Sequence, residues 1–149
     1  MNEDRTALGR KIIAAKRARG WTWPQVAEKL GFSPTYVCAA CLGQMSMAAE
    51  TAEKTGVLFG LDPEEVALLQ EAPYRGSFPG GVPTDPLIYR FYELVMVYGT
   101  TWKELIHEEF GDGIMSAIDF DMTLERQPDQ KGDRVRITMS GKFLPYKRY

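Results

Sequence analysis

The stretch from Leu87 to Tyr98, LIYRFYELVMVY, restricts this chain more than any other. At helical spacing it places apolar or aromatic groups on nearly every side. A helix of that kind is buried on more than one side. Its start is well marked: Thr84 or Asp85 can cap it, and Pro86 takes the first helical position, where a missing N–H costs nothing. Gly99 is predicted to end it in the left-handed conformation that side chains disfavour.

Two charges interrupt the apolar run, Arg90 and Glu93. They lie about 60° apart on the wheel at ~100° per residue. One reading is an intrahelical ion pair. On an exposed helix such a pair contributes only ~0.2–0.5 kcal/mol, and acid-before-base is the better order, opposite to the order here. Withdrawing both ions from water costs several kcal/mol per ion unless they are well compensated. The other reading is therefore a functional site, since buried ions concentrate where chemistry is done.

The neighbouring residues carry a resemblance. Y-R-F-Y-E at Tyr89–Glu93, V-Y-G-T-T at Val97–Thr101 and H-E-x-F-G-D-G-I-x-S-A-I at His107–Ile118 are similar to cyanase, the cyanate hydratase (cyanate lyase) family. P-T-D-P before the helix and G-K-F-L-P near the end extend the match. The resemblance implies a carbon–oxygen hydro-lyase that decomposes cyanate with bicarbonate to ammonia and carbon dioxide through carbamate, serving detoxification and nitrogen supply. It implies Arg90, Glu93 and Ser116 as the catalytic residues, bicarbonate as co-substrate, and no metal or organic cofactor. It also implies a homodecamer of five dimers, with site residues drawn from neighbouring subunits. By itself Ser116 would be a weak candidate, since most serines are turn or surface residues.

The expected fold is α+β and mainly α. Residues 1–79 are expected to form a five-helix bundle and residues 80–149 a catalytic and dimerisation domain. The first helix spans about Asn2 to Arg19, with Leu8, Ile12 and Ala15 on one side, and Gly20 ends it. Thr22-Trp-Pro-Gln25 and Asp62-Pro-Glu-Glu65 read as capping boxes with a proline in the first turn. Ser33-Pro34 starts a helix to Leu42, and another covers about Met47 to Leu58. Pro73–Pro83 is a Pro/Gly-rich linker. Arg75 within it is either a solvated loop side chain or a second anion contact. Thr101-Trp-Lys-Glu104 reads as a third capping box, opening a helix to about Phe110.

From Ile118 the period changes to two. Phe120, Met122 and Leu124 alternate with acidic and polar neighbours; after a polar turn at Gln127–Asp133, Val135, Ile137 and Met139 alternate with Arg and Thr. The expectation is a half-buried hairpin starting at Ile118. Two helices and one hairpin cannot cover their own apolar surface, so a second, interlocking subunit is expected to complete this domain.

A tight turn between the second and third helices resembles phage-repressor-like DNA-binding domains, which makes a DNA-binding regulator or a non-catalytic interaction module the rival function. The candidate recognition helix, Ser33 to Gln44, carries no Lys or Arg to reach bases and phosphates. Residues 1–79 hold nine basic and nine acidic residues, so they carry no net positive field. The whole chain is equally balanced, with 18 basic and 20 acidic residues and a net charge of −2, and gives no support to nucleic-acid or anionic-membrane binding. In the family that the catalytic motifs resemble, this module has the repressor-like fold without acting as a DNA-binding domain.

Cys38 and Cys41 have redox-like spacing, but no strand precedes them, and two ligands do not make a four-ligand zinc site. They read as small buried residues on a helix. His107, the single histidine, lies off the Trp102–Leu105–Ile106 face and is expected to be solvated. Nothing in Met1–Arg10 resembles a secretory signal, and no apolar run reaches the ~18–20 residues of a membrane span, so a cytoplasmic location is expected.

Overall fold

The computed structural model describes residues 3–76 and 80–149. The expected linker and domain boundary fall partly on residues 77–79, outside the described residues. The chain divides into two compact units, Met1–Ser77 and Phe78–Tyr149.

The first unit holds five helices: α1 (Glu3–Ala18), α2 (Trp23–Leu30), α3 (Pro34–Cys41), α4 (Ala49–Phe59) and α5 (Pro63–Gln70). Two of their starts are full capping boxes. The Gln25 N–H donates to Thr22 Oγ1 (3.3 Å) while the Thr22 N–H donates to Gln25 Oε1 (2.8 Å). Asp62 and Glu65 exchange the same two bonds, both 2.9 Å. Each box satisfies two amides that a helix start leaves without partners. Gly31 and Gly60 close α2 and α4 in the left-handed region, at φ 78° and 67°.

Leu8, Ile12, Val26, Val37, Ala52, Phe59 and Leu69 form the core of this unit. Fully burying a side chain of the Val, Leu or Phe type contributes about 1.5–3 kcal/mol. One charge is buried with them. Arg5 Nη2 donates to the carbonyls of Ala40 (3.1 Å) and Met45 (2.9 Å), closing the end of α3, and burial lowers its pKa. Lys11 and Glu65 join α1 to α5 at 2.6 Å. Cys41 is buried and Cys38 half-buried on α3, as small core residues would be.

The second unit departs from the sequence expectation. Instead of two helices it has one, α6 (Pro86–Phe110), of 25 residues. Gly99 does not adopt the left-handed conformation found at Gly31 and Gly60, and Thr101 to Glu104 are simply part of α6. A glycine inside a helix costs only about 1 kcal/mol, too little by itself to end one of this length. The N-cap is Asp85, whose Oδ1 accepts from the amides of Leu87 and Ile88, both at 2.9 Å.

A two-stranded antiparallel sheet follows, β1 (Gly113–Gln127) and β2 (Arg134–Pro145). β1 begins five residues before the expected Ile118. The alternating pattern starts later than the strand because the ladder is interrupted between Met115 and Phe120. The hairpin is half-buried only in part within its own chain: Phe120, Met122 and Ile137 are half-buried, whereas Leu124, Val135 and Met139 are 63, 73 and 54% exposed. Likewise no residue of α6 is buried, although it carries Leu87, Phe91, Leu94, Val95 and Val97.

Candidate functional site

Arg90 and Glu93 are brought together one turn apart on α6. Arg90 Nη1 donates to Glu93 Oε2 at 2.6 Å, a charge-assisted bond. The guanidinium carbon also lies 5.7 Å from the centre of the Tyr89 ring. The pair was expected to be enclosed by apolar groups, and in the single chain it is not: the side chains are 64% and 45% exposed. The physical reason is that the apolar side chains around the pair, among them Phe91, Leu94 and Val97, are themselves exposed in the single chain.

Ser116 lies in a different setting. It is 4% exposed, one of few buried polar residues among those described. Met115 pairs with Phe143, and the next pair is Phe120 with Gly141, so Ser116 to Asp119 bulge opposite Lys142 alone. Inside the bulge Ser116 Oγ accepts the amides of Ile118 (3.0 Å) and Asp119 (2.9 Å). A hydroxyl has two acceptor sites and one donor. With both acceptor sites engaged, Ser116 is left as a hydrogen-bond donor. In the sequence Ser116 is marked only by its motif; the strand and its bulge carry no signal in a residue period of two.

The helix separates these groups. From Arg90 to His107 α6 rises about 25 Å, at ~1.5 Å per residue. His107 sits at the other end, half-buried rather than solvated, with Nε2 3.3 Å from the carbonyl of Gly113. That contact and the stacking of Phe110 on Phe143 (5.2 Å) tie the start of the hairpin to the last turns of α6. Within one chain, then, Ser116 stands near the C-terminal end of α6 and Arg90 near its N-terminal end. No hydrogen bond joins Ser116 to Arg90 or Glu93 among the described residues.

Arg75, the other candidate anion contact, is engaged elsewhere: its Nε donates to the carbonyl of Gln44 at 3.0 Å. Burial pushes the Cys41 thiol up to about 12 and raises Cys38 as well, which opposes thiolate chemistry at neutral pH. Among the described residues, no three His, Cys, Asp or Glu side chains converge to hold a metal ion.

Comparison with known proteins covers both units. The family description "Cyanate hydratase, N-terminal" matches residues 5–73, and "Cyanate lyase C-terminal domain" matches residues 80–148. A cyanate hydratase from Albidiferax ferrireducens is 62% identical over 98% of this chain and 99% of its own. Another from Cupriavidus necator is 65% identical over 93% of this chain and 94% of its own. Among solved structures, a cyanase from T. urticae is 37% identical, with a TM-score of 0.78 over 93% of this chain and 96% of that one.

Proposed function

The chain belongs to the cyanate hydratase family, and from that premise we propose that it decomposes cyanate with bicarbonate to ammonia and carbon dioxide, with carbamate as the intermediate. It is read as a hydro-lyase, with bicarbonate as co-substrate and no metal or organic cofactor. The observation that carries the mechanism is the Arg90–Glu93 pair, held at 2.6 Å on a helix whose apolar surface its own chain leaves open.

The physical problem is to hold two anions side by side. At about 4 Å and an effective dielectric near 20, two unit charges repel by about 4 kcal/mol. Arg90 offsets this with a planar fork that can bond two oxygens at once. Its pull strengthens as attack of bicarbonate on cyanate gathers two charges into one adduct, and only such a difference accelerates a step. Ser116 adds a neutral donor aimed at the same anion. Glu93 aligns Arg90; placed directly against the reactants it would repel them. No covalent bond to the protein is required, because holding two small reactants in register is worth up to ~7–11 kcal/mol.

Arg90 and Ser116 lie at opposite ends of α6, so the proposal combines Arg90 and Glu93 of one chain with Ser116 of another. Covering the apolar surface of α6 and the hairpin requires the same neighbours. We adopt an assembly of interlocked two-fold dimers, five to a decamer, in which site completion and burial are one event. Free Cys38 and Cys41 suit the reducing cytoplasm, where the reaction is placed. The rival DNA-binding function has less support, since α3 presents no Lys or Arg.

Ammonia release from cyanate, measured with and without added bicarbonate, tests this function. Release that depends on both anions is expected. Cyanate left intact in the presence of bicarbonate would refute it.

A further inference from the structure

The geometry points to Gly141 as a positioning residue for Ser116. In the ladder, Gly141 is the β2 residue at which pairing resumes after the bulge, opposite Phe120. A Cβ built on Gly141 would lie 2.6 Å from Met115 Cγ and closer still to the carbonyl oxygen of Ser116. Real Cβ contacts essentially never come this near. Backbone conformation is not the reason for glycine here, because Gly141 does not have a positive φ. What matters is the absent volume.

The two obstacles differ in kind. Met115 meets the added carbon with the middle of a flexible side chain, which can swing away. Ser116 meets it with backbone, which moves only if the bulge moves. Ile118 and Asp119, whose amides fix Ser116 Oγ, belong to the same bulge. Displacing the Ser116 carbonyl therefore shifts the hydroxyl and both groups that aim it. Gly141 fixes one side of Ser116 and the two amides fix the other.

This inference rests on the reading of Ser116 as a substrate contact, and the test separates the two. Steady-state rates with cyanate and bicarbonate are measured for Ser116→Ala, Gly141→Ala, the double variant of these two, Met115→Ala and Met115→Ala/Gly141→Ala, with assembly followed by light scattering. A misplacement of about 1 Å costs about 100-fold in rate, so Gly141→Ala is expected to lose about that factor in kcat. It is expected to divide its loss between kcat and KM as Ser116→Ala does. Adding Gly141→Ala to Ser116→Ala is expected to cost nothing further, because the two act through one group. Met115→Ala/Gly141→Ala removes the flexible obstacle and eases folding, yet is expected to stay impaired relative to Met115→Ala.

Near-full activity of Gly141→Ala would overturn the inference. So would independent, multiplying losses in the double variant with Ser116→Ala, or recovery on removing Met115, or failure of both Gly141 variants to assemble, which would make Gly141 a stability residue only. A fully active Ser116→Ala would instead remove the catalytic reading of Ser116 itself.

Discussion

Arg90 grips Glu93 across 2.6 Å on a helix in which no residue is buried by its own chain. An exposed pair of this kind adds little to stability. In the proposed mechanism its value lies in orienting the guanidinium. Arg90→Lys keeps the charge and loses the fork, so activity is expected to fall at least about 100-fold, within the range seen for lost transition-state donors, while the oligomer survives. Ammonia release alongside light scattering checks both halves. Near-normal turnover in that variant would take Arg90 out of the mechanism.

Glu93 separates alignment from proton transfer. Glu93→Gln keeps an acceptor oxygen for Arg90 Nη1, whereas Glu93→Ala keeps none. If Glu93 aligns the fork, the glutamine variant is expected to retain clearly more kcat than the alanine variant. Equal loss in the two would identify the carboxylate's charge, or its proton, as the working feature.

Leu94 lies on α6 at 42% exposure in the single chain, though it is strongly apolar. Burying a leucine stabilises by about 1.5–3 kcal/mol, and burying a carboxylate there carries a penalty instead. Leu94→Glu is expected to yield smaller, inactive species whose first unit still unfolds cooperatively. Size-exclusion chromatography with circular dichroism checks this. An intact, active assembly would show that this face of α6 is not covered.

The caps of the first unit make a quieter prediction. Asp62→Ala removes the side-chain acceptor of a full capping box and is expected to cost about 1 kcal/mol of stability. Specific activity at 25 °C should be unchanged, since α5 carries none of Arg90, Glu93 and Ser116. Urea unfolding reads the first quantity and the cyanate assay the second.

Burial raises the Cys41 thiol from 9.0 to about 12. Its neutral form is thus favoured in the folded chain. Between those values the unfolded chain has lost a proton that the folded chain keeps, so stability is fully present below about pH 9 and falls as pH rises toward 12. Cys41→Ala is expected to flatten that alkaline loss in urea titrations. At pH 8 a thiol reagent should leave Cys41 unmodified until denaturant is added.

Much of the first unit is legible in sequence because its signals are redundant. Thr22 and Asp62 are each followed by a proline in the first turn and by a residue that closes the box, and both form boxes in the structure. Thr101 has a glutamate in the right place but no such proline, and there the helix runs straight through. Gly99 misleads for a related reason. A glycine is a stop only where the chain turns, and here the helix continues through Thr100 and Thr101 to Phe110. Arg90, Glu93 and Ser116 are legible as motif residues, whereas the bulge that aims Ser116 is not. It depends on which residues of β1 and β2 pair, and Gly141 enters only through that pairing. The exposure of the Arg90–Glu93 pair is equally illegible, because an apolar helix announces burial without saying which chain provides it.

The central claim is that one site takes Arg90 from one chain and Ser116 from another. Co-expressing Arg90→Ala chains with Ser116→Ala chains tests it directly, since every chain in the mixture is defective. If the site is shared, hybrid assemblies contain some sites with both native residues, and cyanate decomposition is expected to reappear at a sizeable fraction of the native rate. Hybrids that form but stay as inactive as either parent would contradict the account.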